Sequence, residues 1–195
     1  MTFAKTPLAF LLSLTVILAT PAIAAEDAKN ANKPGILDAE AAFEQLKKLA
    51  GEWDSVSKSA EGAQDTTPRK SVTKFRLMAN GSTVIATFYG GTPMEMISVF
   101  HMDGPDTIVH THYCALGNQP RMKFQKSKVP GEIKFIFDGG SNIDVNKDLH
   151  VHDTKFRFIN DDLVETEFSA WQDGKESGIR KGTLTRKKKQ LTAAK

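Results

Sequence analysis

The chain has little cysteine and little proline, and its body has no long apolar run. Cys114 is the only cysteine among 195 residues, which excludes an internal disulfide, so the core alone must hold the fold. Eight prolines and 14 glycines exclude collagen-like and proline-rich architectures. With 40% hydrophobic and 25% charged residues, the composition is typical of one globular domain.

The N terminus carries the one extended apolar run, from Leu8 to Ala19. It is too short for a membrane span, which needs ~20 residues. Lys5 precedes it, and Ala22-Ile23-Ala24 supplies the small residues of a cleavage site. We therefore expect residues 1–24 to be a secretory signal peptide, with a membrane anchor as the alternative. The mature protein is then periplasmic or secreted and has no transmembrane span.

Acidic residues are missing from the C-terminal end, since none follows Glu176. The basic residues beyond that point are Arg180, Lys181, Arg186, Lys187, Lys188, Lys189 and Lys195. We interpret them as a solvated strand end followed by a basic tail at 190–195, with contact to anionic lipid or nucleic acid as the alternative. Because no aromatic residues are interleaved with these charges, a nucleic-acid partner is not predicted.

The order of elements predicts a helix and then an all-β domain. Residues 25–37 are polar and aperiodic, as in a flexible leader, and the domain is expected at 38–189. Asp38 is a helix N-cap candidate, apolar residues then recur at helical spacing, and Gly51 ends the helix expected at 38–50. After Gly51 the apolar period changes to two, which predicts strands near 51–59, 70–79, 82–89, 94–103, 106–115, 120–127, 132–138, 149–159, 162–171 and 176–188.

Short turn segments such as Asn80-Gly81 and Asp173-Gly174 separate these strands, so consecutive strands should be antiparallel neighbours. Such a meander has two exposed edges unless the sheet closes. We therefore predict a roughly ten-stranded antiparallel up-and-down β-barrel, lipocalin-like in form, with one short N-terminal helix. A two-sheet sandwich is the alternative.

The alternation of residues predicts which histidines face the interior. On the strand at 149–159, Asp153, Lys155 and Arg157 share one face, so His150 and His152 point inward if there is no bulge. The hairpin at 94–115 is expected to close around Gly104-Pro105, with Val99 opposite His110. The interior face of this hairpin would then carry Glu95, Ile97, Val99, His101, Ile108, His110, His112 and Cys114.

The segment Leu49-Ala50-Gly51-Glu52-Trp53, placed between a helix and a long meander, resembles the calycin group of lipocalins, fatty-acid-binding proteins and nitrobindins. In that group the tryptophan of a Gly-x-Trp motif plugs the barrel floor, which implies this place for Trp53. Residues 91–96 and 112–122 are similar to uncharacterised exported bacterial members of the group. Nitrobindins extend the motif with further glycines where this chain has Ser55 and Ser57, so haem binding does not carry over.

Histidines dominate the candidate site residues. We expect a mostly apolar small molecule to bind in a cavity contacted by Trp53, Glu95, His101, His112, Cys114, Arg121, His150 and His152. Arg121 could hold a polar head group, or form a salt bridge such as one with Glu95. Glu95 beside Cys114 could also act as an acid/base and thiol pair, although a satisfied carboxyl is the simpler interpretation.

The same histidines allow other functions. Two His-x-His pairs could bind zinc or copper through His110, His112, His150 and His152, and one histidine could be an axial haem ligand. A metal- or haem-dependent enzyme or sensor is therefore the alternative to a binding barrel. A structural envelope protein with a filled barrel is the third hypothesis. The sequence does not identify a ligand or an oligomeric state.

Overall fold

A computed structural model describes residues 35–60 and 67–188. The predicted signal peptide at 1–24, most of the leader at 25–37 and the tail at 190–195 lie outside the described residues. Over the described part, no helix has the length and apolar character of a membrane span.

The architecture is a closed antiparallel barrel of ten strands, as the alternation predicted. A helix α1 at Ala39–Lys47 comes first. The strands are β1 (Gly51–Ser59), β2 (Arg69–Met78), β3 (Thr83–Phe88), β4 (Met96–Met102), β5 (Ile108–Tyr113), β6 (Gln119–Lys126), β7 (Glu132–Ser141), β8 (His150–Asn160), β9 (Leu163–Gln172) and β10 (Lys175–Arg186). Each strand pairs with the next, and β1 also pairs with β10, so no free sheet edge is left.

The helix begins at the predicted cap, where the Asp38 carboxylate accepts a hydrogen bond of 2.9 Å from the Ala41 amide. It ends at Lys47 and not at residue 50, because the amides of Leu49 and Ala50 donate to carbonyls three residues back. Phe43 and Leu46 are buried in the core that fills the barrel. The helix therefore covers the barrel end at which β1 begins.

The β4–β5 hairpin corrects the predicted register by one residue. Phe100 pairs with His110 and Ser98 with His112, because the Asp103 amide donates to the Thr107 carbonyl and the loop is centred on Pro105, not between Gly104 and Pro105 as expected. Since side chains alternate between faces, a one-residue shift exchanges the faces of the whole strand. The residues of β4 and its approach that were wrongly predicted to face the interior are Glu95, Ile97, Val99 and His101.

Strand β8 departs from simple alternation at its start. Thr154, Phe156 and Phe158, which alternate with the predicted solvent face of Asp153, Lys155 and Arg157, are buried. A bulge between Val151 and Asp153 interrupts the pairing with β9. The pairing of β7 with β8 extends only from Glu132 to Phe135 on β7. The prediction that His150 and His152 point inward assumed a strand without a bulge. That assumption is wrong.

Candidate binding cavity

A cavity of about 180 Å³ lies toward the barrel end opposite the helix. Its apolar wall is formed by Phe88, Met96, Val151, Phe156, Phe168 and Leu184. Its polar wall is formed by Ser55, Ser57, Ser71, Thr73, Tyr89, His112, Cys114, Thr166 and Arg180. An apolar enclosure with a few convergent polar groups is the usual constitution of a small-molecule site.

The cavity adjoins a larger outer depression of about 670 Å³. The two share Val151, Phe168 and Arg180, so Arg180 lies where the interior meets the surface. A third concave region, of about 710 Å³, is lined by charges that pair with each other, such as Lys155 with Glu167 at 2.6 Å. Its paired charges leave fewer groups available to recognise a ligand.

A buried chain of hydrogen bonds leads from the core to the cavity. Thr154 Oγ1 lies 3.2 Å from His110 Nδ1, and His110 Nε2 lies 2.9 Å from Ser98 Oγ. Ser98 Oγ in turn lies 3.0 Å from His112 Nδ1. Because the far nitrogen of His110 is already engaged, only His112 Nε2 remains to contact a molecule in the cavity.

Burial keeps both interior imidazoles neutral. Loss of hydration is the main cause that lowers the pKa of His110 well below its ordinary value, and the neighbouring His112 adds to it. Desolvation likewise lowers the pKa of His112 to about 4. The ring of His110 also stacks on Phe100 at 4.2 Å between centroids. At neutral pH the polar group that His112 presents is therefore a hydrogen-bonding group without charge.

Two residues of the cavity wall have a buried polar atom without a hydrogen-bond partner among residues 35–60 and 67–188, namely Thr73 Oγ1 and Arg180 Nη1. Thr73 is fully buried, and Arg180 uses its other terminal nitrogen to donate to Ser59 Oγ at 3.0 Å. Buried polar atoms are normally satisfied. These two atoms have almost no accessible surface, so His112 Nε2 is the better candidate for a hydrogen bond to a molecule in the cavity.

Trp53 lies at the helix end and is not among the cavity-lining residues. Its ring is fully buried, and its Nε1 donates to the Leu49 carbonyl at 2.7 Å. The guanidinium of Arg186 lies 4.2 Å from the ring centroid. Trp53 therefore plugs the barrel floor, the place that the calycin resemblance implied.

Three other predicted site residues lie away from the cavity wall. Glu95 is exposed, and its carboxylate accepts a bond from the Gly91 amide. Arg121 forms a salt bridge, although with Asp138 and not with Glu95. His101 is half-buried beside the Met102 carbonyl. Cys114 does line the cavity, where its Sγ lies 3.9 Å from Met96 Sδ.

His150 and His152 belong to an aromatic cluster and are not cavity-lining residues. The His152 ring stacks on Trp171 at 4.0 Å and on Phe137 at 4.7 Å between centroids. His150 lies 5.0 Å from Phe137, and its Nδ1 contacts the Asp148 carbonyl. The cluster lies where the β7–β8 pairing has ended, and the Phe137 amide donates to the Asp153 carboxylate.

The four histidines predicted as metal ligands do not form one site. Within residues 35–60 and 67–188, no three His, Cys, Asp or Glu side chains come together in a way that could hold an ion. Both ring nitrogens of His110 are engaged by hydroxyls. A haem macrocycle is also much larger than the cavity of about 180 Å³ beside His112. The residues present therefore do not fit either group.

Ser98, Thr154, Thr73 and Arg180 were not predicted as site residues. Ser98 was placed on the wrong face by the register shift, although its hydroxyl links the two histidines. Thr154 was placed on the inner face, but nothing in the sequence shows which imidazole it meets. Arg180 was predicted to belong to a solvated, basic strand end. Only the closure of the barrel brings it beside strand β1.

No protein-family model and no curated protein matches the chain. Among solved structures, Rv2717c from M. tuberculosis resembles it with a TM-score of 0.51 at 11% identity, over 75% of this chain and 98% of that one. A protein of unknown function from the DUF3598 family of Nostoc punctiforme gives a TM-score of 0.49 at 15% identity, over 80% of this chain. This chain spans only 51% of that protein's length. At 11% identity the similarity to Rv2717c shows the fold alone.

Proposed function

We propose that the barrel binds a small, mostly apolar molecule in the cavity beside His112. The observation that carries the proposal is the cavity wall, whose exposed surface is mainly apolar and which includes the His112 imidazole. An apolar space with a polar group on its wall suits a small molecule that is mostly apolar.

The cavity volume limits the ligand to a compact molecule. A volume of about 180 Å³ corresponds to about six water molecules at ~30 Å³ each, and an apolar cavity of about 150 Å³ is large enough for benzene. One aromatic ring or a short branched chain therefore matches the space. The adjoining depression at Arg180 offers the way in.

The test is a titration of the protein with benzene, followed by nuclear magnetic resonance of the side chains of Phe88, His112 and Phe168. We expect saturable shifts at these three residues. Val151→Phe would fill the cavity and abolish the shifts. Val72→Phe is the matched control because Val72 is an exposed valine of β2, and it should bind benzene like the wild type. Absence of saturable shifts in the wild type would contradict the proposal.

A filled scaffold is the second candidate function. The observation in its favour is the volume of about 180 Å³, which is below the roughly 300 Å³ at which ligand pockets usually begin. A scaffold of this kind would make its contacts through outer surfaces or the basic tail. It predicts that Val151→Phe stabilises the protein while no small apolar molecule binds the wild type.

We also propose that the protein is exported after removal of residues 1–24. The proposal rests on the apolar run and the small residues before Ala25. The test is the intact mass and N-terminal sequence of the protein recovered from the cell envelope. A chain that begins at Ala25 is expected, and an uncleaved chain that starts at Met1 would contradict export through cleavage.

A further inference from the structure

The hydrogen-bonded chain from Thr154 to His112 has a direction that can be derived by counting protons. A hydroxyl has one proton to donate, and a neutral imidazole has one N–H and one acceptor nitrogen. His110 and His112 are both buried and neutral, and Ser98 contacts one nitrogen of each ring. Three arrangements let every bond in the chain have one proton. In one of them both rings donate to Ser98, which leaves the proton of this fully buried hydroxyl without an acceptor among the described residues. The other two arrangements run in opposite directions.

In the first arrangement, Thr154 donates to His110 Nδ1, His110 Nε2–H donates to Ser98, and Ser98 donates to His112 Nδ1. His112 then carries its proton on Nε2. In the second arrangement every bond is reversed, and Thr154 accepts from His110. The Thr154 hydroxyl proton would then need another acceptor, and the described part of the chain offers no other partner to this fully buried oxygen. The first arrangement leaves no buried proton unpaired and is favoured.

We propose that Thr154, acting through His110 and Ser98, fixes His112 as the Nε2–H tautomer, so that the cavity selects ligands that carry a hydrogen-bond acceptor oxygen. The proposal rests on the proposed binding function and names the chemistry of its ligand. Thr154 is a positioning residue in this scheme, because it lies two hydrogen-bonded groups away from His112.

Another polar group at the cavity supports a ligand of the same chemistry. Arginine can only donate hydrogen bonds. Arg180 also lines the cavity, so its guanidinium favours the same acceptor chemistry as His112 Nε2–H.

The tautomer is tested directly by two-bond ¹H–¹⁵N spectra of the histidine rings in the full-length protein at pH 7. We expect His110 and His112 to show the pattern of the Nε2–H form. In Thr154→Val the hydroxyl is lost at nearly constant volume, so the bias disappears and His112 becomes a mixture of tautomers. Thr154→Ser keeps a hydroxyl and should keep the wild-type spectrum. An Nδ1–H pattern at His112 in the wild type, or an unchanged pattern in Thr154→Val, would overturn the proposal.

Ligand selection is tested with acetophenone and α-methylstyrene, which share a shape but differ in the carbonyl oxygen. Calorimetric titration of the wild type should give tighter binding of acetophenone by about two- to ten-fold, the value of one net neutral hydrogen bond. The ratio should fall toward one in Thr154→Val and persist in Thr154→Ser. Equal affinities in the wild type would overturn the proposal and leave the binding function intact. If neither compound binds, the binding function fails with its ligand chemistry, while the spectra still decide the tautomer.

Discussion

Two histidines inside an aromatic core are stable here because neither imidazole is charged and their hydroxyl partners are buried with them. His110 packs against Phe100 and Phe135, at centroid distances of 4.2 and 5.2 Å. A polar group costs little on burial when it keeps its hydrogen bonds, whereas a buried charge costs several kcal/mol. Ser98 supplies one such hydrogen bond to each ring.

The lowered pKa values of these histidines predict a loss of stability in mild acid. Since the folded pKa of His112 is about 4 and its ordinary value is 6.5, the unfolded chain binds more protons between these pH values. The free energy of unfolding should therefore fall as the pH drops from 6.5 to 4, by up to about 3 kcal/mol from His112 alone. His110 shifts in the same direction and adds to the loss.

Urea unfolding at a series of pH values checks this prediction. In His112→Gln the free energy of unfolding should depend less on pH between 6.5 and 4, because one of the two histidines with a lowered pKa is removed. His101→Gln is the control, because His101 lies outside the chain of hydrogen bonds. An identical pH dependence in His112→Gln and the wild type would show that His112 is protonated as easily in the folded protein as in the unfolded chain.

Arg186 joins three parts of the closed barrel end. Its guanidinium lies over Trp53 and donates to the carbonyls of Lys48 and Ala50 at the end of the helix. Lysine would keep the charge but lose the planar fork. We expect Arg186→Lys to lower the free energy of unfolding by about 1–2 kcal/mol, measured by urea unfolding. Arg121→Lys, on a half-exposed pair, should change it by less than about 0.5 kcal/mol.

At the scale of single elements, the sequence predicted the helix start and every strand, because caps, turn residues and alternation are local signals. It did not predict the β4–β5 register, since the residues Asp103-Gly104-Pro105-Asp106 allow more than one loop centre. A shift of one residue in this pairing decides whether the side chain of Ser98 or of Val99 points into the barrel. The β8 bulge could not be predicted either, because it depends on where the pairing of β7 with β8 ends.

Strand β10 has no room for a side chain at Gly182. A Cβ built there would lie 2.7 Å from the Val56 carbonyl oxygen and 3.1 Å from Thr166 Oγ1. Gly182→Ala should therefore strain the closure between β1 and β10 and lower the free energy of unfolding by about 1–3 kcal/mol. Gly178→Ala, where nothing lies within 4 Å, is the matched control and should be nearly neutral. Thermal unfolding of both variants measures the difference.

At the scale of the whole molecule, the barrel has one end closed by the helix, Trp53 and Arg186, and a cavity toward the other. The closed fold could be predicted, because ten short antiparallel strands leave two edges unless they meet. The cavity wall could be predicted only in part. The places of His112 and Cys114 on the wall could be predicted from the alternation along β5 and the residue that follows it. Thr73, Phe168 and Arg180 belong to strands that meet only when the barrel closes.

The most direct measurement is a crystal structure of the protein pressurised with xenon. Xenon enters apolar cavities of this size, so a peak is predicted between His112, Phe88 and Phe168 in the wild type and none in Val151→Phe. An open sheet, His112 in bulk solvent, or no xenon at this position in the wild type would contradict the existence of an interior binding cavity.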